Sequence, residues 1–284
     1  MRRHAPGDFG PASPPSANGT VALLLPGMTL NATVFPDLAV TTVAADFTRL
    51  VVGSDGWSAE LARRRMAYYA GLLSEQLRED RHWGAAARRV VVGHSFGGML
   101  ALAWLLEQGH HPLGRVDGLV LVATTAGPMF GAARVRLAGT GRYSLRIPAA
   151  LLMPLWNHPL LTRVLGALAN RDAAPGAVDF RALTSRSDIA VGLAGWRNTD
   201  WRARRSFRYA MTGFDVRARL GEITVPTIVL HGTRDSFFSI SVARELADRL
   251  PHAELRIVPG AAHVLPLTHP DAVVRAVADV MTRA

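Results

Sequence analysis

The sequence contains no cysteine and no lysine. Without cysteine, the chain cannot form disulfides, use thiolate chemistry or build a cysteine-based metal site. All 32 basic residues are therefore arginine, whose guanidinium groups stay charged and bind carboxylates or phosphates in a planar fork. Against 22 acidic residues, they give a formal net charge of +10.

Long apolar runs are also missing. Because no stretch approaches the roughly 18 apolar residues of a membrane span, we expect no transmembrane segment. The basic start of the chain is not followed by the apolar run of a secretory signal, so we expect a cytoplasmic location. Residues 1–19 are rich in proline, glycine and serine, which predicts a flexible N-terminal arm.

What the chain does contain is enough apolar sequence for a large core, since 49% of its 284 residues are hydrophobic. Short apolar runs alternate with helical patterns, which predicts an α/β fold with a mostly parallel sheet flanked by helices. We expect about six strands, near residues 21–25, 40–45, 88–92, 118–123, 226–230 and 253–258.

One motif indicates chemistry. Ser95 lies in the sequence GHSFG at residues 93–97, directly after an apolar run and before a helical stretch. Strand, tight turn, serine and helix together form the context of a nucleophile elbow. Glycines at both ends of the motif leave room for neighbouring backbone, and the start of the helix directs N–H groups to the place where negative charge would develop.

A serine nucleophile needs a base and an acid, which follow it in this chain order. Asp235 lies on the loop after the predicted strand Thr227–Leu230, and His263 lies on the loop after the next strand, Leu255–Val258. Because parallel strands end on the same side of a sheet, Ser95, Asp235 and His263 are predicted to converge. We expect His263 to act as general base and Asp235 to orient it.

Other interpretations of these residues remain open. Asp235 could instead form a structural ion pair with Arg234. A rival base is His269, but the pair His269-Pro270 is typical of a helix entry, where the side chain caps the helix. We expect His94, inside the serine motif, to pack beside the nucleophile.

These three residues, in this order and context, resemble the α/β-hydrolase superfamily. The resemblance covers Val21 to Ala284 and points to its serine esterase branch, including carrier-protein methyl esterases and methylesterases of natural-product pathways. It implies a core of residues 20–127 and 213–284, and a helical cap of residues 128–212.

The resemblance also implies an oxyanion hole made of two backbone N–H groups. One belongs to Phe96, the residue after the serine. The other comes from the loop after the first strand, and the N–H of Met28 is the candidate. Many relatives carry His-Gly in this loop, where this chain has Pro26-Gly27, but a main-chain donor does not depend on that side chain.

The predicted substrate pocket is mostly apolar, which favours an acyl or alkyl group. We expect it to be lined by Thr29, Thr124, Met129, Phe130, Trp196 and Phe237. No cofactor and no metal ion is expected.

The charge of the chain is concentrated in the predicted cap. Residues 128–212 hold 13 arginines and four aspartates, so they carry +9 of the net +10. Arg202, Arg204, Arg205 and Arg208 fall on one predicted helix. This pattern fits either a solvated basic face or attraction of an anionic partner, such as an acyl carrier protein, a coenzyme-A thioester or an acidic small molecule. No nucleic-acid recognition motif is present.

The motifs and the charge pattern are compatible with three functions. The first is a serine hydrolase that cleaves a small-molecule or carrier-bound ester or thioester through an acyl-enzyme. The second is an acyltransferase or a cofactor-free perhydrolase, similar to the haloperoxidase branch, in which another acceptor replaces water. The third is a non-catalytic ligand-binding receptor. Epoxide hydrolases and haloalkane dehalogenases carry aspartate at the position of Ser95, which argues against both.

Overall fold

The computed structural model describes residues 19–45, 66–108, 115–128, 134–138, 145–148, 199, 201–235 and 237–283. Nearly all of the predicted N-terminal arm and much of the predicted cap lie outside these ranges. The predicted pocket residues Met129, Phe130 and Trp196 lie outside them as well.

Six parallel strands form the main sheet, as predicted. They are β1 (Thr20–Leu25), β2 (Thr41–Ala44), β3 (Arg88–His94), β4 (Gly118–Val122), β7 (Thr227–Gly232) and β8 (Ala253–Val258). Their spatial order is β2-β1-β3-β4-β7-β8, and every neighbouring pair is parallel. Each strand lies within two residues of its predicted position. The central strands β1, β3, β4 and β7 are mostly buried apolar runs, as expected for strands that are covered on both faces.

Helices cover both faces of this sheet. They are α1 (Met66–Glu79), α2 (Arg81–Ala85), α3 (Phe96–Gln108), α4 (Trp201–Thr212), α5 (Ile240–Arg249), α6 (Leu265–Thr268) and α7 (Pro270–Thr282), with short 3-10 helices at Ala32–Val34 and Arg217–Glu222. Side chains of α1, α3 and α5 fill the apolar cluster on one face, and those of α7 fill the cluster on the other. The sheet therefore lies between two apolar layers, and its carboxyl edge carries the loops that position the site.

The predicted cap contains a feature that the sequence did not indicate. Strands β5 (Arg134–Ala138) and β6 (Leu145–Pro148) pair as an antiparallel hairpin, where only helical patterns were expected. Further along, α4 confirms the helix predicted for the arginine-rich segment.

Helix α4 is attached to the core by an aromatic cluster. The ring of Phe207 lies 5.0 Å from that of Phe96 and 5.3 Å from that of Tyr69. The hydroxyl groups of Tyr69 and Ser206 share a buried hydrogen bond of 2.6 Å. The apolar face of α4 thus belongs to the same cluster as the core helices α1 and α3.

Among the helices that the structure describes, none has both the length and the apolar character needed to cross a bilayer.

Candidate active site

Ser95 occupies a strained turn between β3 and α3. Its φ is +54°, in the left-handed region, which costs a non-glycine residue roughly 1–3 kcal/mol. A 3.0 Å hydrogen bond from its own N–H to the carbonyl of Val122, on the neighbouring strand, holds the turn in place. The turn places the serine at the carboxyl edge of the sheet, as predicted for a nucleophile elbow.

The two glycines of the motif are required by close backbone contacts. A Cβ at Gly97 would lie 1.9 Å from the carbonyl oxygen of Leu25, and one at Gly93 would lie 2.7 Å from the Cα of Gly98. No side-chain rearrangement could relieve these contacts, because the clashing atoms belong to the backbone. The start of α3 therefore packs directly on the end of β1, where the predicted oxyanion loop begins.

We expect Gly97→Ala to destabilise the fold by about 3 kcal/mol or more, at or above the upper end of the usual overpacking range. Gly71→Ala is the matched control, because Gly71 lies inside α1 and a Cβ there meets nothing within 4 Å. This second change should stabilise the protein by roughly 0.5–1 kcal/mol. Urea denaturation measures both, and equal midpoints for the two variants would contradict the close packing of the elbow.

The structure brings Ser95, His263 and Asp235 together in one hydrogen-bonded chain. His263 Nε2 lies 2.9 Å from Ser95 Oγ, and His263 Nδ1 lies 3.0 Å from Asp235 Oδ2. These distances are within the range in which a base takes a proton from a nucleophile. When Nδ1 of His263 carries the proton and donates it to Asp235, Nε2 is unprotonated. The hydroxyl of Ser95 can then donate its hydrogen bond to Nε2.

Asp235 is fixed by more than its histidine. Its other oxygen, Oδ1, accepts hydrogen bonds from the backbone N–H groups of Phe237, at 2.9 Å, and Phe238, at 3.1 Å. Burial alone would raise the pKa of Asp235, but the charge of His263 and the hydrogen bonds from His263 and Phe238 lower this pKa below its ordinary value. The carboxylate therefore stays ionised and paired with His263 rather than with Arg234.

Phe237 was predicted to line the pocket, and its ring centroid lies 4.6 Å from that of His263. With 37% of its surface exposed, it is one of two large hydrophobic side chains exposed in the described part of the chain. It thus presents an apolar surface next to the imidazole.

The predicted oxyanion donors lie at the junction of β1 and the elbow. Phe96 opens α3, and Met28 lies in the turn after β1, which is closed by a 3.0 Å hydrogen bond from the N–H of Leu30 to the carbonyl of Gly27. In this turn Thr29 is buried and has a φ of +66°, which is rare for a β-branched residue. Such strain near a candidate site is the expected mark of a backbone held in place for function.

Thr124 has a different environment from the one predicted. It is buried behind the elbow, and its hydroxyl donates a 2.6 Å hydrogen bond to the carbonyl of Ser95. The hydroxyl group therefore supports the backbone of the strained turn and is not available as a donor to a substrate.

The rival base His269 stands at the start of α7, which confirms the predicted helix entry. Its side chain does not cap that helix, however, and the capping prediction was wrong. Instead, His269 Nδ1 lies 2.9 Å from the hydroxyl of Thr268, because the two side chains are adjacent at the end of α6.

Two buried histidines complete the site. His94 packs beside the triad, with its ring centroid 5.1 Å from that of His263. No role was predicted for His231, at the end of β7, although its place four residues before Asp235 was a usable signal. Burial lowers the pKa of His94 to about 3, assisted by the nearby His263, and burial also lowers the pKa of His231.

Comparisons with known proteins agree with this architecture. The alpha/beta hydrolase family matches residues 22–276. A pimeloyl-[acyl-carrier protein] methyl ester esterase of Chromobacterium violaceum is 30% identical over 196 residues, covering 66% of this chain and 68% of the relative. A putative non-heme chloroperoxidase of a Synechocystis species is 38% identical over 60 residues, 21% of this chain and 22% of the relative. A solved hydrolase from Oleispira antarctica superposes with a TM-score of 0.68 at 17% identity, covering 95% of this chain and 93% of its own.

Proposed function

Because the chain belongs to the alpha/beta hydrolase family, we propose that it is a serine hydrolase that cleaves a carboxylic ester or thioester. The observation that carries this proposal is the continuous hydrogen-bonded chain from Ser95 through His263 to Asp235. The named relative that acts on a methyl ester supports the choice of bond.

The geometry supports a two-step mechanism. His263 Nε2 takes the proton from Ser95 Oγ as the oxygen attacks the carbonyl carbon, and His263 then gives this proton to the departing alcohol or thiol. Water, activated by the same imidazole, attacks the acyl-enzyme and releases the acid together with free Ser95. Asp235 holds the tautomer with Nδ1 protonated and stabilises the imidazolium that forms.

The oxyanion of each tetrahedral intermediate would be bound by the backbone N–H groups of Met28 and Phe96. Two features support this assignment: α3 begins at Phe96, so its dipole favours negative charge there, and the turn carrying Met28 packs against the elbow. Removing one such donor typically costs roughly 10²–10³ in turnover.

A fluorophosphonate probe tests the reaction class. Such probes react with activated serines, so mass spectrometry should find one adduct on the peptide that contains Ser95. Tight binding of an ester without any labelling would instead support the ligand-binding receptor.

We infer further that the substrate is anionic or bound to a carrier protein. The positive charge of residues 128–212 supports this inference, since it would raise the local concentration of an acidic partner. So does the relative that acts on a carrier-bound ester.

Neutralising Arg205 and Arg208 together to glutamine should raise KM about 2- to 10-fold for an anionic ester, such as nitrophenyl hemisuccinate, at low salt. The neutral ester nitrophenyl butyrate should be unaffected, and the difference should fade at 1 M salt, where the screening length is only about 3 Å. Arg78→Gln with Arg275→Gln is the matched control, since both residues are exposed on core helices. Equal KM changes in the two pairs would contradict a role for the arginines of α4.

A second candidate is transfer of the acyl group to hydrogen peroxide, and the chloroperoxidase relative favours it. The same acyl-enzyme would serve, with peroxide replacing water and a peracid as product. The experiment lets water and peroxide compete for the acyl-enzyme. The amount of peracid formed for each ester consumed distinguishes the two reactions.

A further inference from the structure

His94 connects the elbow strand to the loop that carries His263. Its side chain is fully buried, and its Nε2 lies 2.9 Å from the backbone carbonyl oxygen of His263. A carbonyl oxygen only accepts hydrogen bonds, so Nε2 of His94 must carry a proton and donate it. His94 therefore holds the backbone of the predicted base, while the imidazole of His263 remains directed at Ser95 and Asp235.

His231 makes the equivalent connection to the loop that carries Asp235. It is 1% exposed, and its Nε2 lies 3.0 Å from the backbone carbonyl oxygen of Phe238. The N–H of the same residue, Phe238, donates to Asp235 Oδ1. His231 thus fixes the backbone that holds the carboxylate.

The two histidines share three properties. Each stands near the carboxyl end of a central strand, each is buried, and each donates from Nε2 to a backbone carbonyl in a loop that carries a triad residue. Within the described part of the chain, neither Nδ1 has a hydrogen-bond partner. Phenylalanine or leucine would fill an apolar space at a lower desolvation cost than histidine does. The Nε2 hydrogen bond is therefore the property that a buried histidine provides at each of these places.

Their charge state suits this task. Burial keeps both rings neutral, since it lowers both pKa values, and that of His94 to about 3. A charged ring at either place would repel the imidazolium of His263 during catalysis. A neutral ring still donates its one N–H group.

We propose that His94 and His231 are positioning residues that fix the loops of His263 and Asp235 from within the sheet. This inference rests on the proposed serine hydrolase and adds two residues that touch neither the substrate nor the reacting atoms. A displacement of about 1 Å at the base or acid typically costs roughly 10²-fold in rate, so two loops without regular secondary structure need such anchors.

The test at each position compares a substitution that removes the donor with one that retains it. His94→Phe keeps the ring shape and removes the Nε2 proton, and it should lower kcat roughly 10²-fold with KM changed less than about 2-fold. His94→Gln places an amide N–H group near the same point and should recover most of the lost kcat. His231→Phe and His231→Gln should behave in the same way.

Ser74→Ala is the control for loss of a buried hydrogen bond away from the site. The hydroxyl of Ser74 accepts a 3.0 Å hydrogen bond from the indole N–H of Trp104; Ser74 is buried, and Trp104 belongs to the apolar core. This variant should be destabilised to a similar extent while kcat stays unchanged. A kcat loss in Ser74→Ala as large as in His94→Phe would mean that general destabilisation, rather than positioning, lowers activity.

A readout independent of turnover is the far-downfield proton NMR signal of the His263–Asp235 hydrogen bond. It should broaden or vanish in the phenylalanine variants and return in the glutamine variants. Unchanged kcat and an unchanged signal in both phenylalanine variants would overturn the positioning role. Failure of the unaltered protein to hydrolyse esters or react with a fluorophosphonate would instead overturn the proposed function.

Discussion

The Ser95→Ala variant should hydrolyse esters roughly 10⁴- to 10⁶-fold more slowly than the unaltered protein, with KM nearly unchanged. Without the hydroxyl group no acyl-enzyme forms, and the reaction is left to water and to the N–H groups that bind the oxyanion. Pre-steady-state kinetics with an excess of a nitrophenyl ester measure this effect, because the initial burst of nitrophenol should disappear as well.

The fold of Ser95→Ala should be retained, because alanine keeps a Cβ at the same φ of +54°. Ser95→Gly is an informative companion, since glycine adopts this φ without the Cβ penalty, and it should be inactive but have a higher melting temperature. A Ser95→Ala protein that keeps its burst would exclude Ser95 as nucleophile.

The second large effect is expected for Asp235→Asn, which should lower kcat by roughly 10⁴-fold. Asparagine can still accept the backbone N–H groups of Phe237 and Phe238 through its oxygen, so the loop should keep its conformation. Its amide group would face Nδ1 of His263 as a donor. The imidazole would then adopt the tautomer with Nε2 protonated, which cannot take the proton of Ser95.

Asp37→Asn serves as the matched control. Asp37 is exposed and also accepts a backbone N–H group, that of Ala39, at 3.0 Å. Its replacement should leave kcat unchanged. If Asp235→Asn also kept full activity, the acid of the triad would have to be sought elsewhere.

The main sheet could be predicted because its central strands are short, mostly apolar runs, each followed by a loop or a helix. The proximity of Ser95, Asp235 and His263 followed from the same strand prediction, since parallel strands present their carboxyl ends at one edge of the sheet. Three residues separated by up to 168 positions were thereby placed together without knowledge of any side-chain contact.

The contacts behind the triad could not be predicted in this way. The bonds from His94 to the carbonyl of His263 and from Thr124 to the carbonyl of Ser95 depend on which rotamer a side chain adopts beside a neighbouring loop. Periodicity carries no information about that choice. The hairpin of β5 and β6 was not predicted for another reason. The predicted cap around it contains several prolines and mixed residue patterns, and these favoured a prediction of helices.

The attachment of α4 bears on engineering of this scaffold. Phe207 packs against Phe96, the residue that follows Ser95, and Ser206 is hydrogen-bonded to Tyr69. A graft that brings in a foreign segment up to residue 212 would therefore remove both contacts and leave Tyr69, among the described residues, as the remaining aromatic neighbour of Phe96. Chimaeras intended to alter substrate choice should therefore place their downstream junction before Trp201. The recipient would then keep its own α4, and only the segment upstream of it would be exchanged.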